Sequence, residues 1–375
     1  MQFFNPVETQ FGHGVRKGLI KDCNNKNTLI FCTKSALKRY SSDKIISLLL
    51  TNKNINFEHN FSSNPSIEEI ENICKKNKNN NFEIIIGLGG GSAMDAAKIA
   101  SVAIPAYQLE LSILDLIDNT QLLKNIKKIL CILVPTTAGT GSEVTPFATI
   151  WDYKNNKKKS LSDKSMYAEK AYIDPDFLIG IPLQIAISTG LDALNQAFES
   201  IWNKNSNKKS RAFARQSALL SLKSLPEIHM IDKNKDLRKN IAHSSFLAGL
   251  AISHTRTSIC HSISYPLTLR HGIDHGLACA FSMLEVYKFN KDFIKEDIEY
   301  LTNFLKEDPY IALQNIYKKH QIEKMISELL PKESEFFVSI EDFITEGRFE
   351  NNIKHCQDDD LISIITNSYY RLRSY

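Results

Sequence analysis

The stretch FEIIIGLGGGSAMDAAKIASVA, residues 82–103, constrains this chain more than any other. A run of isoleucines reads as a buried strand, and three consecutive glycines, Gly89, Gly90 and Gly91, break it into a tight turn. The segment AMDAAKIASVA then continues as a helix. Without a Cβ, the glycines let the backbone approach a ligand closely, and the start of the helix offers amide donors to an anion. The spacing departs from G-x-G-x-x-G because Ser92 stands at the third glycine position. A plain strand–helix turn does not call for three glycines in a row, so a phosphate loop is expected here.

The same texture recurs across the first half. NTLIFCT (27–33) reads as a strand followed by a helix through LKRYSSDKIISLLL, and KKILCILVPTT (127–137) is a third strand. Alternation of this kind predicts a parallel sheet with helices on both faces. Beyond DPDFLIGIPLQIA, where two prolines interrupt the pattern, β-branched runs all but disappear. The segments TGLDALNQAFESIW, SRAFARQSALLSLKSL and DLRKNIAHSSFLAGLAI instead carry helical periodicity. The expected division is an α/β domain over residues 1–181 and an all-α domain over residues 182–375, in line with the usual length prior for 375 residues.

Composition narrows the function classes. Hydrophobic residues make up 43% and charged residues 23%, an ordinary globular balance. The lysine clusters KKNKNNN (75–81) and KNNKKKS (154–160) read as solvated loops. They lack interleaved aromatics or a recognisable module, so nucleic acid is not an expected partner. The net charge of +4 still favours anionic cofactors and substrates. Seven scattered cysteines without a C-x-x-C pair point to a reducing compartment rather than a disulfide framework. No apolar run approaches the ~18 residues of a membrane span. The opening MQFFNPVETQFGHG has no basic region leading into a long apolar core. A cytoplasmic protein with no membrane partner is expected.

A second loop, PTTAGTGSEVTP (135–146), also follows a strand and brings Thr136, Thr137, Thr140 and Ser142 into one turn. Such hydroxyls can satisfy their own backbone, or form the second wall of a dinucleotide site beside the first glycine loop. Together, GGGSAMDAAK and PTTAGTGSE resemble the two cofactor motifs of the iron-containing alcohol dehydrogenases. The resemblance continues through AYIDPDFL, GLDAL, AGLAISHT and HGLACAFSM, covering roughly residues 5–290. It implies the architecture shared with dehydroquinate synthase, a dinucleotide-binding α/β domain followed by a helical domain that binds a divalent metal. It also implies cofactor contacts at Gly89, Gly90, Gly91, Ser92, Asp95, Lys98, Thr136, Thr137 and Lys159, with NADPH or NADH bound. Relatives that prefer NAD tend to carry an aspartate after the first strand. Here Thr33 stands there, followed by Lys34, Lys38 and Arg39, and lacks the charge that would repel a 2′-phosphate.

The resemblance maps Asp192, His261 and His275 onto metal ligands, a set that suits Fe²⁺, or alternatively Zn²⁺. Gln196 falls one helical turn from Asp192, where the family has a third histidine. Two readings stay open, a weaker site with an amide ligand or a metal that has been lost. His271 has no ligand counterpart and is expected in a loop. Tyr265 replaces another family histidine and is either a proton donor or a packed ring.

The segments TRTSICHSISYPLT (255–268) and ESIWNKNSNKKSRAFA (199–214) look like phosphonoacetaldehyde reductases within this superfamily. Arg256 and Thr257 would then hold the phosphonate, although Arg256 can equally serve a salt bridge. The implied reaction is metal-assisted reduction of a small anionic aldehyde by NAD(P)H, phosphonoacetaldehyde giving 2-hydroxyethylphosphonate, in a homodimer. Another small aldehyde, a lyase like dehydroquinate synthase, and a cofactor-binding relic without turnover are the alternatives.

Overall fold

The computed structural model describes residues 4–155, 157–336, 341–345 and 347–373. The chain divides into two compact units, one comprising Phe4–Thr137 and Ser142–Gly180, the other Ala138–Gly141 and everything from Ile181 onward. Among the described residues no helix is long and apolar enough to cross a membrane.

The first unit is built on a six-stranded sheet in the order β1-β8-β5-β4-β2-β3. Its strands are β1 (Glu8–Phe11), β2 (Thr28–Phe31), β3 (Ile55–Glu58), β4 (Ile84–Gly89), β5 (Leu130–Pro135) and β8 (Lys170–Ile173). All pairings within it are parallel. Side chains alternate across the pleat, so the central strands β2, β4 and β5 each feed two cores. Leu29, Phe31, Ile85, Cys131 and Leu133 pack on one face, while Ile30, Ile84, Ile86, Ile132 and Val134 pack on the other. Burial on both faces explains why these strands read as continuous apolar runs.

Several local features differ from the expectations. The helix anticipated over LKRYSSDKIISLLL is two helices, Lys34–Tyr40 and Lys44–Leu50. The break follows from Asp43, whose carboxylate accepts from the amides of Ile45 and Ile46 and so starts a new helix. The lysines of KNNKKKS are not simply loop. Lys157–Ser162 forms β7, antiparallel to β6 (Phe147–Asp152). Ala148, Ile150 and Leu161 are buried along this ribbon, and Lys158 lies over the Trp151 ring at 5.8 Å. Strand geometry lets lysine stems cover an apolar face with their charges outward.

Within the second loop lies Glu143, only 2% exposed. Burial pushes its carboxyl up to about 7, against opposing help from its backbone and from Lys98. In the unfolded chain it ionises near its ordinary 4.5. Between those values the folded state holds a proton the unfolded state has lost, so the stabilisation present at low pH declines as pH rises. Glu143→Gln cannot ionise. Its stability relative to the natural chain should rise by about 2–3 kcal/mol between pH 5 and pH 8, read from urea midpoints. A difference that stays flat with pH would mean that Glu143 is ionised when folded.

The second unit is helical. Its principal elements are Leu183–Ile201, Lys208–Ser224, Lys235–Thr255, Ile259–His271 and His275–Asn290, followed by Lys295–Leu305, Pro309–Lys319 and Asp358–Arg373. His271, expected in a loop, is the last residue of its helix, and Gly272 ends that helix at φ 65° in the left-handed region.

Candidate cofactor and metal sites

In the α/β unit the strand order reverses between β2 and β4, the place where open sheets of this kind bind ligands beyond their strand ends. Three expected cofactor segments leave the sheet at neighbouring strand ends. Thr33 follows β2, the triple glycine follows β4, and Thr136 follows β5. The register pairs Gly89 with Pro135, and the Thr136 amide donates to the Gly89 carbonyl at 2.9 Å. A Cβ on Gly89 would lie 2.6 Å from that of Ala93, so glycine allows the helix Gly91–Tyr107 to start tight against the strand. Gly90 caps this helix without a side chain, leaving first-turn amides for an anionic ligand.

Other expected cofactor residues have partners within the fold. Lys98 is fully buried. Its ammonium donates to the carbonyls of Ser142 (2.9 Å) and Phe147 (2.5 Å) and to the Thr145 hydroxyl (3.3 Å). It ties the second loop to the helix Gly91–Tyr107. Asp95 does the same work, accepting from the Ser142 hydroxyl at 2.5 Å and the Thr149 amide at 2.8 Å. Ser92 donates to the Ser63 carbonyl, Thr33 caps the Lys34–Tyr40 helix, and Lys159 lies 3.7 Å from Asp118. Thr140 groups with the helical unit, apart from Thr136 and Thr137.

The helical unit gathers the expected metal residues. The helix Leu183–Ile201 carries Asp192, Gln196 and Glu199 along one side, at the three- and four-residue spacing that shares a face. The helix Ile259–His271 supplies His261 and the next helix supplies His275. Donor atoms of Asp192, His261, His275 and Cys279 all lie within 4.8 Å of one another. His261 Nε2 is 3.3 Å from the Asp192 carboxylate. Its Nδ1 is 2.5 Å from Glu199, a fully buried carboxylate that also accepts from the His261 amide and the Ser258 hydroxyl. Glu199 thus fixes the imidazole and turns Nε2 inward, as outer carboxylates do for metal-bound histidines. His275 Nδ1 lies 3.5 Å from the Ser264 hydroxyl, and the Tyr265 ring stacks beside His275 at 6.1 Å.

The helices carrying these groups approach closely. A Cβ on Gly276 would sit 1.8 Å from the Ser188 carbonyl oxygen, so only glycine lets the helix bearing His275 start against the one bearing Asp192.

The electrostatics favour a cation. Burial alone would lower the His261 pKa, but Cys279, Glu199 and Asp192 reverse this and raise it well above the ordinary value. For Asp192, burial acts upward, and His261 and His275 outweigh it, holding the carboxyl below its usual range. Gln196 donates its amide to Asp192 at 3.0 Å, while its carbonyl oxygen, buried in the same place, has no partner. An unpartnered acceptor beside a carboxylate and two inward imidazoles suits a divalent metal.

The sequence profile of iron-containing alcohol dehydrogenase matches residues 6–175, and that of the Fe-containing alcohol dehydrogenase family, C-terminal, matches residues 186–369. The chain belongs to the iron-containing alcohol dehydrogenase family. It is 33% identical over 214 residues to phosphonoacetaldehyde reductase from Streptomyces viridochromogenes, a match covering 56% of this chain and 53% of that protein. It therefore spans about half the length of that relative. It is 30% identical to 4-hydroxybutyrate dehydrogenase from Clostridium kluyveri over 82% of this chain and 83% of that one. The crystal structure of sulfoacetaldehyde reductase from Bifidobacterium kashiwanohense in complex with NAD⁺ superimposes with a TM-score of 0.85 at 26% identity, over 98% of both chains.

Cys279 is the member of the cluster that sequence reading missed. It lies four residues after His275 on one helix, the spacing that linked Asp192 to Gln196, and that spacing was its available signal.

Proposed function

We propose that the chain is an NAD(P)H-dependent reductase of short aldehydes that carry an anionic group, with phosphonoacetaldehyde as its substrate. The observation that carries this reading is the backbone of Arg256. It ends the helix Lys235–Thr255 at φ 60° and ψ −172°, a region that costs a non-glycine residue about 1–3 kcal/mol. The surroundings hold it there. Its carbonyl accepts from the Thr255 hydroxyl at 2.8 Å and the Asn203 amide at 3.5 Å, and the carbonyl of Thr257 accepts from Asn351 at 3.0 Å. Arg256 itself is exposed. Its pKa is lowered by partial burial and then by the charge of Arg348, so two guanidinium groups act on one region. Two such forks suit an oxyanion. The turn is tied to the metal cluster because Ser258 and His261 share Glu199. Phosphonate, sulfonate and carboxylate occur in the names of the three relatives above, and each is an anion of this kind.

In this reading Asp192, His261 and His275 would hold the metal, Gln196 would offer it a carbonyl oxygen while its amide steadies Asp192, and Glu199 steadies His261. When bound, the metal would polarise the aldehyde oxygen and NAD(P)H would supply hydride. Tyr265, only 7% exposed and stacked on His275, is assigned to proton delivery at the substrate oxygen. Arg256 and Thr257 orient the anionic end. Oxidation of NADPH or NADH should be followed with phosphonoacetaldehyde, sulfoacetaldehyde and propanal. Preference for the anionic aldehydes supports the assignment, preference for propanal removes it, and cofactor binding without any turnover would make the chain a non-catalytic binder.

Cofactor choice has its own test. Thr33 already serves as an N-cap, and aspartate caps equally well, so Thr33→Asp adds charge at little structural cost. Preference should move toward NADH by roughly tenfold, the effect of ~1.4 kcal/mol of repulsion against a 2′-phosphate. Unchanged use of NADPH would sink this argument.

A further inference from the structure

We propose that Cys279 joins Asp192, His261 and His275 as a protein ligand of the metal, a set that selects Zn²⁺ over Fe²⁺ and would expand to five-coordinate when a substrate oxygen binds. This rests on the reading of the cluster as a metal site. Buried cysteines ordinarily behave as small hydrophobes, and all seven in this chain are buried and free. Among the described residues, Cys279 is the one cysteine that falls in a group of converging metal-binding atoms. Its sulfur is 4.0 Å from His275 Nε2. Tetrahedral zinc, with bonds of ~2.0–2.1 Å to nitrogen or oxygen and ~2.3 Å to sulfur, places N and O donors about 3.3 Å apart and S and N donors about 3.6 Å apart. The separation of His261 Nε2 from Asp192 is 3.3 Å, so the cluster lies close to that geometry before any adjustment.

Charge and chemistry point the same way. The site is nearly closed, with Asp192, His261 and Cys279 all less than 5% exposed, and a buried charge must be matched. One carboxylate and one thiolate neutralise a divalent ion, the thiol proton passing to solvent on binding. Thiolate is a soft donor that favours zinc, and zinc already stands above iron in intrinsic affinity for such sites. Gln196 supplies the independent sign of a ligand. It is 3% exposed and bonded to Asp192, yet its carbonyl oxygen has no partner, an acceptor that a cation or a water arriving with it would satisfy.

The test uses the full chain freed of metal and loaded with Co²⁺ as a spectroscopic substitute for Zn²⁺. A thiolate ligand produces strong near-ultraviolet charge-transfer absorption alongside the visible cobalt bands. That absorption is expected in the natural chain, retained in Cys260→Ser and lost in Cys279→Ser. Dialysis against equal Zn²⁺ and Fe²⁺ should leave the natural chain holding Zn²⁺, and Cys279→Ser should weaken Zn²⁺ affinity by at least the ~10-fold that losing an outer partner costs. Visible cobalt bands without charge transfer in the natural chain would overturn the role of Cys279 and leave the metal site standing. Failure to bind Co²⁺ or Zn²⁺ in equilibrium dialysis would overturn the metal site itself. Neither result depends on a variant that folds.

Discussion

His261→Ala is expected to lower kcat/KM by about 10³-fold or more and to strip most of the metal, while His271→Ala leaves both close to their starting values. His261 presents Nε2 to Asp192 and is held from behind by Glu199, whereas His271 sits at the end of its helix, outside the cluster. Lewis-acid assistance contributes several kcal/mol to carbonyl chemistry, and each 1.36 kcal/mol is a factor of ten in rate. Glu199→Gln should give the intermediate result, a 10–100-fold loss of metal affinity, since it removes only an outer partner. Metal content by emission spectroscopy, measured with steady-state kinetics on the same preparations, checks all three. Equal damage from His261→Ala and His271→Ala would show that the helix, not the ligand, is being disturbed.

The second large effect concerns Arg256→Ala. A charge-assisted contact to the anionic end of the substrate is remote from the carbonyl and holds ground and transition states alike. Because Arg256 is exposed in the free chain, the loss takes the low end of the ~2–5 kcal/mol typical of buried pairs, about 2 kcal/mol, so kcat/KM on phosphonoacetaldehyde should fall by roughly 30-fold. Propanal has no anion to hold and should be affected far less. Arg256→Lys keeps the charge but not the planar fork and should recover only part of the loss. Alanine and lysine both inherit the strained φ of this position, so backbone strain does not separate the two variants. Parallel losses on both aldehydes would make Arg256 a structural residue.

The fold was readable because its signals are periodic. Isoleucine runs buried on two faces mark parallel strands, and a glycine turn marks each ligand edge. The β6–β7 ribbon was not readable, because lysines at 157, 158 and 159 mask an alternation completed only by partners on the other strand. At the site, Asp192, His261 and His275 were accessible through motifs, and the structure brings their donor atoms together. Lys98 and Asp95 stand in a cofactor motif, yet their partners are loop atoms more than forty residues away, a distinction that motif spacing does not encode. Glu199 and Cys279 escaped notice for a related reason. A glutamate within a helical run reads as solvent-facing and a cysteine as core, until the fold shows which other side chains share their space.

Gly276 makes the metal centre hard to retune. Because a single added methyl group would collide with the Ser188 carbonyl, the spread of the donor atoms is set by how near two main chains can come. Exchanging ligands one at a time would keep that aperture. A larger ion would need the helices themselves to separate, so laboratory evolution toward a new metal should find its first useful changes at backbone-contact positions away from the ligands.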